Sequence, residues 1–283
     1  MPDDVAYLNC AGLAPQLRSV RSAGERALDR RSAPWTIKPA DWFGELERLR
    51  ALFARLSGAD AAGIAVVPAT SYGLAVAARN VRATAGDRVA LLAGDFPSNV
   101  QTWHAWARRG GAEVLTVERH ERQGWTDALL DALQEPLRVV SVPAVHWIDG
   151  AAVDLERVGA RARDLGAVLV VDATQALGAM PLDLAAVRPD YLVAAGYKWL
   201  LGPLGVSYLY VAPEHRDGQP LEENWANRAG AEDFEDTGGT DAGYRTGARR
   251  FASASAATSS WSPWPSRRSG SFSIGASRES PRP

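Results

Sequence analysis

Ala167-Val168-Leu169-Val170-Val171-Asp172-Ala173-Thr174-Gln175 decides how this 283-residue sequence is organised. Its first five residues are apolar without a break. Alternate side chains of a strand point to opposite faces of a sheet, so such a run suits a strand covered on both sides. The run ends on a carboxylate, which puts Asp172 at the exit of a buried strand. Outward from it, strand-like and helical stretches alternate. Upstream lie a helix from Leu155 to Leu165 and strands at Val139 to Val142, Glu113 to Val117 and Arg88 to Leu92. Helices from Thr126 to Leu133 and Asn99 to Arg109 fall between them. Ile64 to Pro68 is a further strand, followed by a helix from about Ser71. From Asp41 to Leu56, Trp42, Phe43, Leu46, Leu49, Leu52, Phe53 and Leu56 follow three-and-four spacing. That is an amphipathic helix, with Asp41 able to cap it and Gly58 able to end it. Downstream, Tyr191 to Ala194 and Val206 to Val211 complete seven strands.

Apolar strands separated by helices predict an α/β fold, a mostly parallel seven-stranded sheet covered by helices on both sides. In such sheets ligands bind beyond the carboxyl ends of the strands. The segments that matter are therefore Ala69 to Gly73, Asp95 to Asn99, His146 to Gly150, Asp172 to Gln175 and Gly196 to Gly202.

Composition narrows the function. Lys+Arg 31 against Asp+Glu 33 gives a formal net charge of -2, which argues against a nucleic-acid or anionic-membrane partner. The single cysteine, Cys10, excludes a disulfide framework and a cysteine-based zinc cluster. The opening Met1-Pro2-Asp3-Asp4 lacks a basic and an apolar region, and no apolar run is long enough to span a bilayer, so a cytoplasmic protein is expected. There is no GxxxxGK, GxGxxG after a strand, HExxH or GxSxG motif. The histidines at 104, 120, 146 and 215 show no ligand spacing, and no metal is expected.

The chemistry concentrates in Asp172-Ala-Thr-Gln175 and in Ala195-Gly-Tyr-Lys-Trp-Leu-Leu-Gly-Pro203. Of 31 basic residues only Lys38 and Lys198 are lysines, and Lys198 is the one charge between Ala194 and Pro203. A desolvated lysine amine has a depressed pKa and can form a Schiff base, while a buried aspartate can hold a heterocyclic nitrogen protonated. Pyridoxal phosphate needs both. Taken singly, Asp172 could cap a turn, Phe96 could be core, and Gln175 or Thr70 could be structural. The order Thr-Ser, Phe, Asp-x-x-Gln, Lys is what sets them apart.

With these residues in this order, the chain resembles the class V aminotransferase group of fold type I pyridoxal-phosphate enzymes. That group includes cysteine desulfurases, isopenicillin-N-epimerase-like proteins and kynureninase. The resemblance runs from Tyr7-Leu-Asn-Cys-Ala-Gly12 to about Phe251. It implies the large domain of that fold and pyridoxal 5'-phosphate as cofactor. Lys198 would bind the cofactor covalently and shuttle a proton. Asp172 would pair with the pyridine nitrogen, and Gln175 would hydrogen-bond the ring hydroxyl. Thr70 and Ser71, opening a helix, would hold the phosphate with Tyr197. Phe96 would stack on the ring, and Asn9 and Trp147 would face the substrate. A homodimer is implied, with two subunits completing each cofactor site.

The implied reaction is transamination of an amino acid, with a C–S or C–C lyase as the alternative and a catalytically inactive remnant as a third reading. Phe96 and Tyr197 lean toward kynureninase, whereas Asp172-Ala-Thr-Gln175 leans away. Cys10, near the N-terminus, is not where a desulfurase keeps its nucleophile.

These observations divide the chain into an N-terminal segment, 1–40, a cofactor-binding large domain, 41–251, and a tail, 252–283. The tail holds 11 serines, 4 prolines and one acid, without helical or strand period, and is expected to be disordered or frame-shifted. Regrouping its codons by one register allows an apolar run such as Val-Leu-Val-Pro-Met-Ala-Val-Ala-Ala-Leu across Ser260 to Arg268 and beyond. The family has an apolar helical segment after its Arg-Phe, so the small C-terminal domain is expected to be missing.

Overall fold

The computed structural model describes residues 4–134, 136–234 and 242–254. Seven strands form one sheet: β1 (Ile64–Val67), β2 (Arg88–Leu92), β3 (Glu113–Val117), β4 (Val139–Pro143), β5 (Val168–Asp172), β6 (Tyr191–Ala195) and β7 (Ser207–Val211). Their order across the sheet is β1-β7-β6-β5-β4-β2-β3. The pairs among β2 to β6 are parallel, while β7 is antiparallel to both β6 and β1. Strand β1 therefore points the same way as β2 to β6, and six strand exits share one edge.

The seven apolar runs of the sequence fall on these strands, so the predicted sheet is present. Two α-helices went unread. The first is α1 (Arg18–Arg31), which buries Val20 alone and whose arginine-rich sequence carries no apolar stripe. The other is the single turn α7 (Leu184–Val187), started by Asp183. The amphipathic helix α2 spans Pro39–Ser57 and does end at Gly58, whose φ of 70° is the left-handed conformation that glycine adopts freely. Its start differs from expectation. Lys38 is the cap residue, and Asp41 sits in the first turn, where its carboxylate accepts from the Lys38 N–H at 2.8 Å.

Strand alternation splits the core. Leu169, Val171, Leu192 and Tyr208 face α2, α5 (Trp125–Ala132) and α6 (Leu155–Asp164), with Phe53 stacked on Tyr208 at 4.2 Å. Val67, Val170, Val193, Leu209 and Val211 face α3 (Thr70–Asn80) and α4 (Pro97–Gly110), where Trp103 and Trp106 are fully buried. Residues 255–283, most of the expected tail, lie outside the described residues. The preceding stretch is packed: Phe251 is fully buried, and Ala252 O accepts from Asn227 Nδ2 at 2.8 Å.

Helix α3 lies against the sheet because position 73 is glycine. A Cβ there would stand 2.6 Å from Val193 Cγ1, within a packed core that has no room to yield. Gly44, in the middle of α2, has nothing within 4 Å. Thermal denaturation of the two alanine variants should therefore diverge. Gly73→Ala should lose about 1–3 kcal/mol by overpacking, while Gly44→Ala should gain up to about 1 kcal/mol from helix propensity. Equal effects would contradict the packing argument.

Candidate functional site

Asp172 ends β5 and pairs in register with Val193 of β6, three residues before the turn that carries Lys198. That turn is tight. Gly196 N–H donates to Val206 O at 3.0 Å, Gly202 N–H to Gly196 O at 2.7 Å and Leu201 N–H to Lys198 O at 2.9 Å. A Cβ at 196 would lie 2.5 Å from Val206 O, so only glycine lets the chain pass. The turn folds Lys198 inward until it is 7% exposed. Its Nζ lies 5.3 Å from the Phe96 ring centroid and 6.0 Å from that of Tyr197, and it makes no hydrogen bond among the described residues.

Burial pulls the Lys198 amine below its ordinary pKa, and the Asp172 carboxylate opposes that shift. Burial likewise pushes Asp172 up, against the Thr174 hydroxyl, the Thr174 N–H at 2.9 Å and the Lys198 ammonium. Burial thus disfavours the charge on each group, and the charge on the other opposes it.

Of the remaining sequence-predicted residues, Phe96 and Tyr197 flank the Lys198 amine, and Thr70, Ser71, Trp147 and Gln175 follow strands that end at the same edge. Phe96 precedes α4, and Trp147 meets it edge-on with ring centroids 5.5 Å apart, its Nε1 donating to Gly94 O at 2.9 Å. Gln175 is engaged on both sides: Nε2 donates to Ala11 O at 3.1 Å, and Oε1 accepts from Trp199 Nε1 at 2.7 Å. A primary amide has two N–H donors, so one remains for a ligand. The Ala11 contact, with Ala14 N–H donating to Tyr197 O at 3.2 Å, brings the N-terminal turn to the site. Within that turn Asn9 Oδ1 accepts from Gly12 N–H at 3.0 Å, so its side chain shapes the turn. Thr70 and Ser71 form the first turn of α3. The preceding Ala69 offers no side-chain cap, and the leading N–H groups of the helix are left facing the strand-exit edge.

Asp95, inside a segment the sequence marked but not itself singled out, is 6% exposed just past β2. Its carboxylate accepts from Phe96 N–H at 2.6 Å and Asn99 Nδ2 at 2.7 Å. Asn99 Oδ1 in turn accepts from Ser141 Oγ at 2.6 Å and Trp103 Nε1 at 2.9 Å. Burial raises Asp95 to about 6, with Asn99 and the Phe96 N–H lowering it, Asp172 raising it and His146 lowering it. His146 is a packing residue, tilted on Trp125 at 4.7 Å with Nε2 3.2 Å from Ala93 O. Among the described residues no group of three or more His, Cys, Asp or Glu could hold a metal, and no helix is long and apolar enough to cross a membrane.

The profile of the family "Aminotransferase class-V" matches residues 40–238. The chain belongs to the class-V aminotransferase family. Its enzymes depend on pyridoxal phosphate, as the resemblance implied. The chain is 30% identical over 224 residues to the uncharacterized aminotransferase YcbU of Bacillus subtilis, covering 76% of this chain and 56% of that protein. It is 30% identical over 242 residues to a kynureninase of Deinococcus radiodurans, covering 81% and 57%. This class-V chain thus spans about half the length of the curated relatives it matches. A C-DES mutant solved with glycine covalently linked to its PLP cofactor superimposes with a TM-score of 0.81 at 20% identity, over 92% of this chain and 69% of that one. That likeness establishes the shared fold type I architecture.

The Asp95 environment makes a testable statement about pH. A carboxyl whose folded-state pKa is raised stabilises the fold below its unfolded pKa, and that stability is lost as pH rises through the folded value. Between pH 4 and 7, ionising Asp95 should cost up to about 3 kcal/mol. Thermal melts of wild type and Asp95→Asn across that range should diverge, the variant falling less toward pH 7. Parallel curves would show that Asp95 ionises freely.

Proposed function

We propose that this chain binds pyridoxal 5'-phosphate and acts at the α-carbon of an amino acid, with transamination as the reaction. The observation that carries the reading is the buried Lys198 amine facing Asp172 at one strand edge. The donor set also fits the cofactor: a desolvated amine for its aldehyde, a carboxylate for its ring nitrogen, an uncapped helix start for its phosphate and an aromatic face for its ring.

When bound, the cofactor supplies an electron sink for the carbanion formed at the substrate α-carbon. Lys198 Nζ would hold it covalently, and the same amine would remove and return the proton at the substrate α-carbon, a task that its lowered pKa favours. Asp172 holds the proton on the ring nitrogen. Thr70, Ser71 and Tyr197 bind the phosphate, Phe96 stacks on the ring, and the remaining N–H of Gln175 orients the ring hydroxyl. Trp147 and Asn9 border the substrate, with Trp147 lying edge-on against Phe96. The unit is a homodimer, a reading supported by Leu8, Trp35, Ile148 and Leu204, apolar side chains 63% or more exposed.

A lyase acting on a C–S or C–C bond is the second reading, favoured by Tyr197 directly before Lys198 and by Phe96 at the ring position. Measuring keto-acid formation with pyruvate as acceptor against sulfide release, or alanine release with no keto acid added, separates the two.

The protein should turn yellow with pyridoxal phosphate, and borohydride should fix the cofactor to Lys198. Fixation at Lys38, or colour that survives Lys198→Ala, would overturn the assignment. Asp172→Asn should keep the fold and lose on the order of a hundredfold or more in turnover, because an amide cannot stabilise the protonated ring nitrogen. Near-normal activity in that variant would remove Asp172 from this role.

A further inference from the structure

We propose that Ser207 is a further phosphate-binding residue of this site, its hydroxyl donating to the phosphate group held at the start of α3. This rests on the reading that pyridoxal phosphate occupies the site.

Ser207 is the first residue of β7 and is 1% exposed, yet its Oγ has no hydrogen-bond partner. A buried hydroxyl left unpaired is costly, and folded proteins tolerate few of them. Its place in the sheet says what the missing partner is. Ser207 pairs in register with Val67, the last residue of β1, on one side and with Ala195, the last residue of β6, on the other. These three residues form a row on the strand-exit edge, two residues from Asp172's partner Val193 along β6.

Side-chain direction follows from alternation. Leu209 and Val211 pack with Leu74, Val76 and Ala77 of α3, whereas Tyr208 packs on the opposite face. Ser207 therefore points to the α3 side, as Val67 and Asp172 do by the same alternation on their strands. The helix is in place above it. A Cβ at Gly73 would stand 2.6 Å from Val193 Cγ1 and 3.5 Å from Leu209 Cβ, so Gly73 lies over the Val193–Leu209 pair of β6 and β7. One helical turn back toward the N-terminus is about 5 Å, and two residues back along β7 is about 7 Å. Both steps lead to the same edge, and they bring Thr70 over the Ala195–Ser207 pair.

The uncapped N–H groups of Thr70 and Ser71 carry the positive end of the helix dipole toward this spot. Of the row of three, Val67 and Ala195 have no side-chain donor, so Ser207 supplies the one hydroxyl of that row. A phosphate monoester there would accept from the helix N–H groups above and from Ser207 Oγ below, and the orphaned hydroxyl would be satisfied.

The test uses the full-length chain stripped of cofactor, titrated with pyridoxal 5'-phosphate and separately with pyridoxal, following the absorbance of the bound cofactor. Ser207→Ala should weaken pyridoxal 5'-phosphate about tenfold, the scale of one hydrogen bond to a charged group. Pyridoxal, which lacks the phosphate, should bind wild type and variant within twofold of each other. The cofactor-free variant should melt at or above the wild-type temperature, because the substitution removes an unpaired buried polar atom. An unchanged affinity for pyridoxal 5'-phosphate, or an equal loss for both ligands, would overturn the role of Ser207 while leaving the cofactor reading standing. A wild-type protein that binds neither ligand would overturn the cofactor reading and this inference with it.

Discussion

The register between β5 and β6 is the constraint on which the site depends. Asp172 sits opposite Val193, and the chain leaves β6 three residues before Lys198, so the carboxylate and the amine meet at one edge. The side-chain period of a strand is two, so a slip by one residue would turn Asp172 onto the face that holds Leu169 and Val171. There it would be a carboxylate among apolar side chains, on the face away from Lys198. The apolar residues of β5 enforce the register, because the same slip would move each of them to the wrong cluster. The core thus aligns the chemistry without contributing a reacting group to it.

That alignment concentrates charge where water is scarce. Burial acts in opposite senses on the acids and the base, raising Asp172 and Asp95 and lowering Lys198. The two carboxylates also repel each other, a contribution visible in Asp95. Any cation held by Asp172 would ease both effects, because it would restore a counter-charge that burial withholds. Asn99 keeps this arrangement tolerable by donating to Asp95 while accepting from Ser141 and Trp103, so that β2, β4 and α4 are joined through one amide. A polar network satisfied in this way rigidifies the wall that carries Phe96.

Much of this was legible in the sequence, and the limits have physical causes. The strands announced themselves because residues buried on both faces leave uninterrupted apolar runs, and Lys198 stood out as a rare lysine in an uncharged stretch. Helix α1 was silent because a helix that buries Val20 alone has no stripe to detect. Ser207 was silent for a different reason. A serine at the head of Ser-Tyr-Leu-Tyr-Val reads as an ordinary strand start, and only the register with Val67 and Ala195 reveals where its hydroxyl points. Gln175 was found by its motif, but its partners Ala11 and Trp199 come from 164 and 24 residues away and no local pattern encodes them.

Strand β1 poses a last structural problem, because it is the edge of the sheet and yet must hold α3 in place. An unprotected edge would fray or pair with another chain. The turn Gly247–Phe251 covers it, lying so close that a Cβ at Gly247 would stand 2.4 Å from Ala62 O. The cover is anchored on both faces of the sheet. Phe251 is buried in the cluster beneath α3, while Arg249 makes two hydrogen bonds, at 2.8 and 2.7 Å, to Glu47 of α2 on the other side. Glu47 also accepts from Arg50 at 2.6 Å, and Arg50 binds Ile64 O and Ala61 O at the head of β1. Burial pulls the Arg50 guanidinium down to about 10, which still leaves it charged at neutral pH. Removing Glu47 would therefore strand a buried cation, so the ion pair fixes geometry more than it adds stability. What it fixes is the line from Arg50 through β1 to Val67, three residues before α3 begins at Thr70.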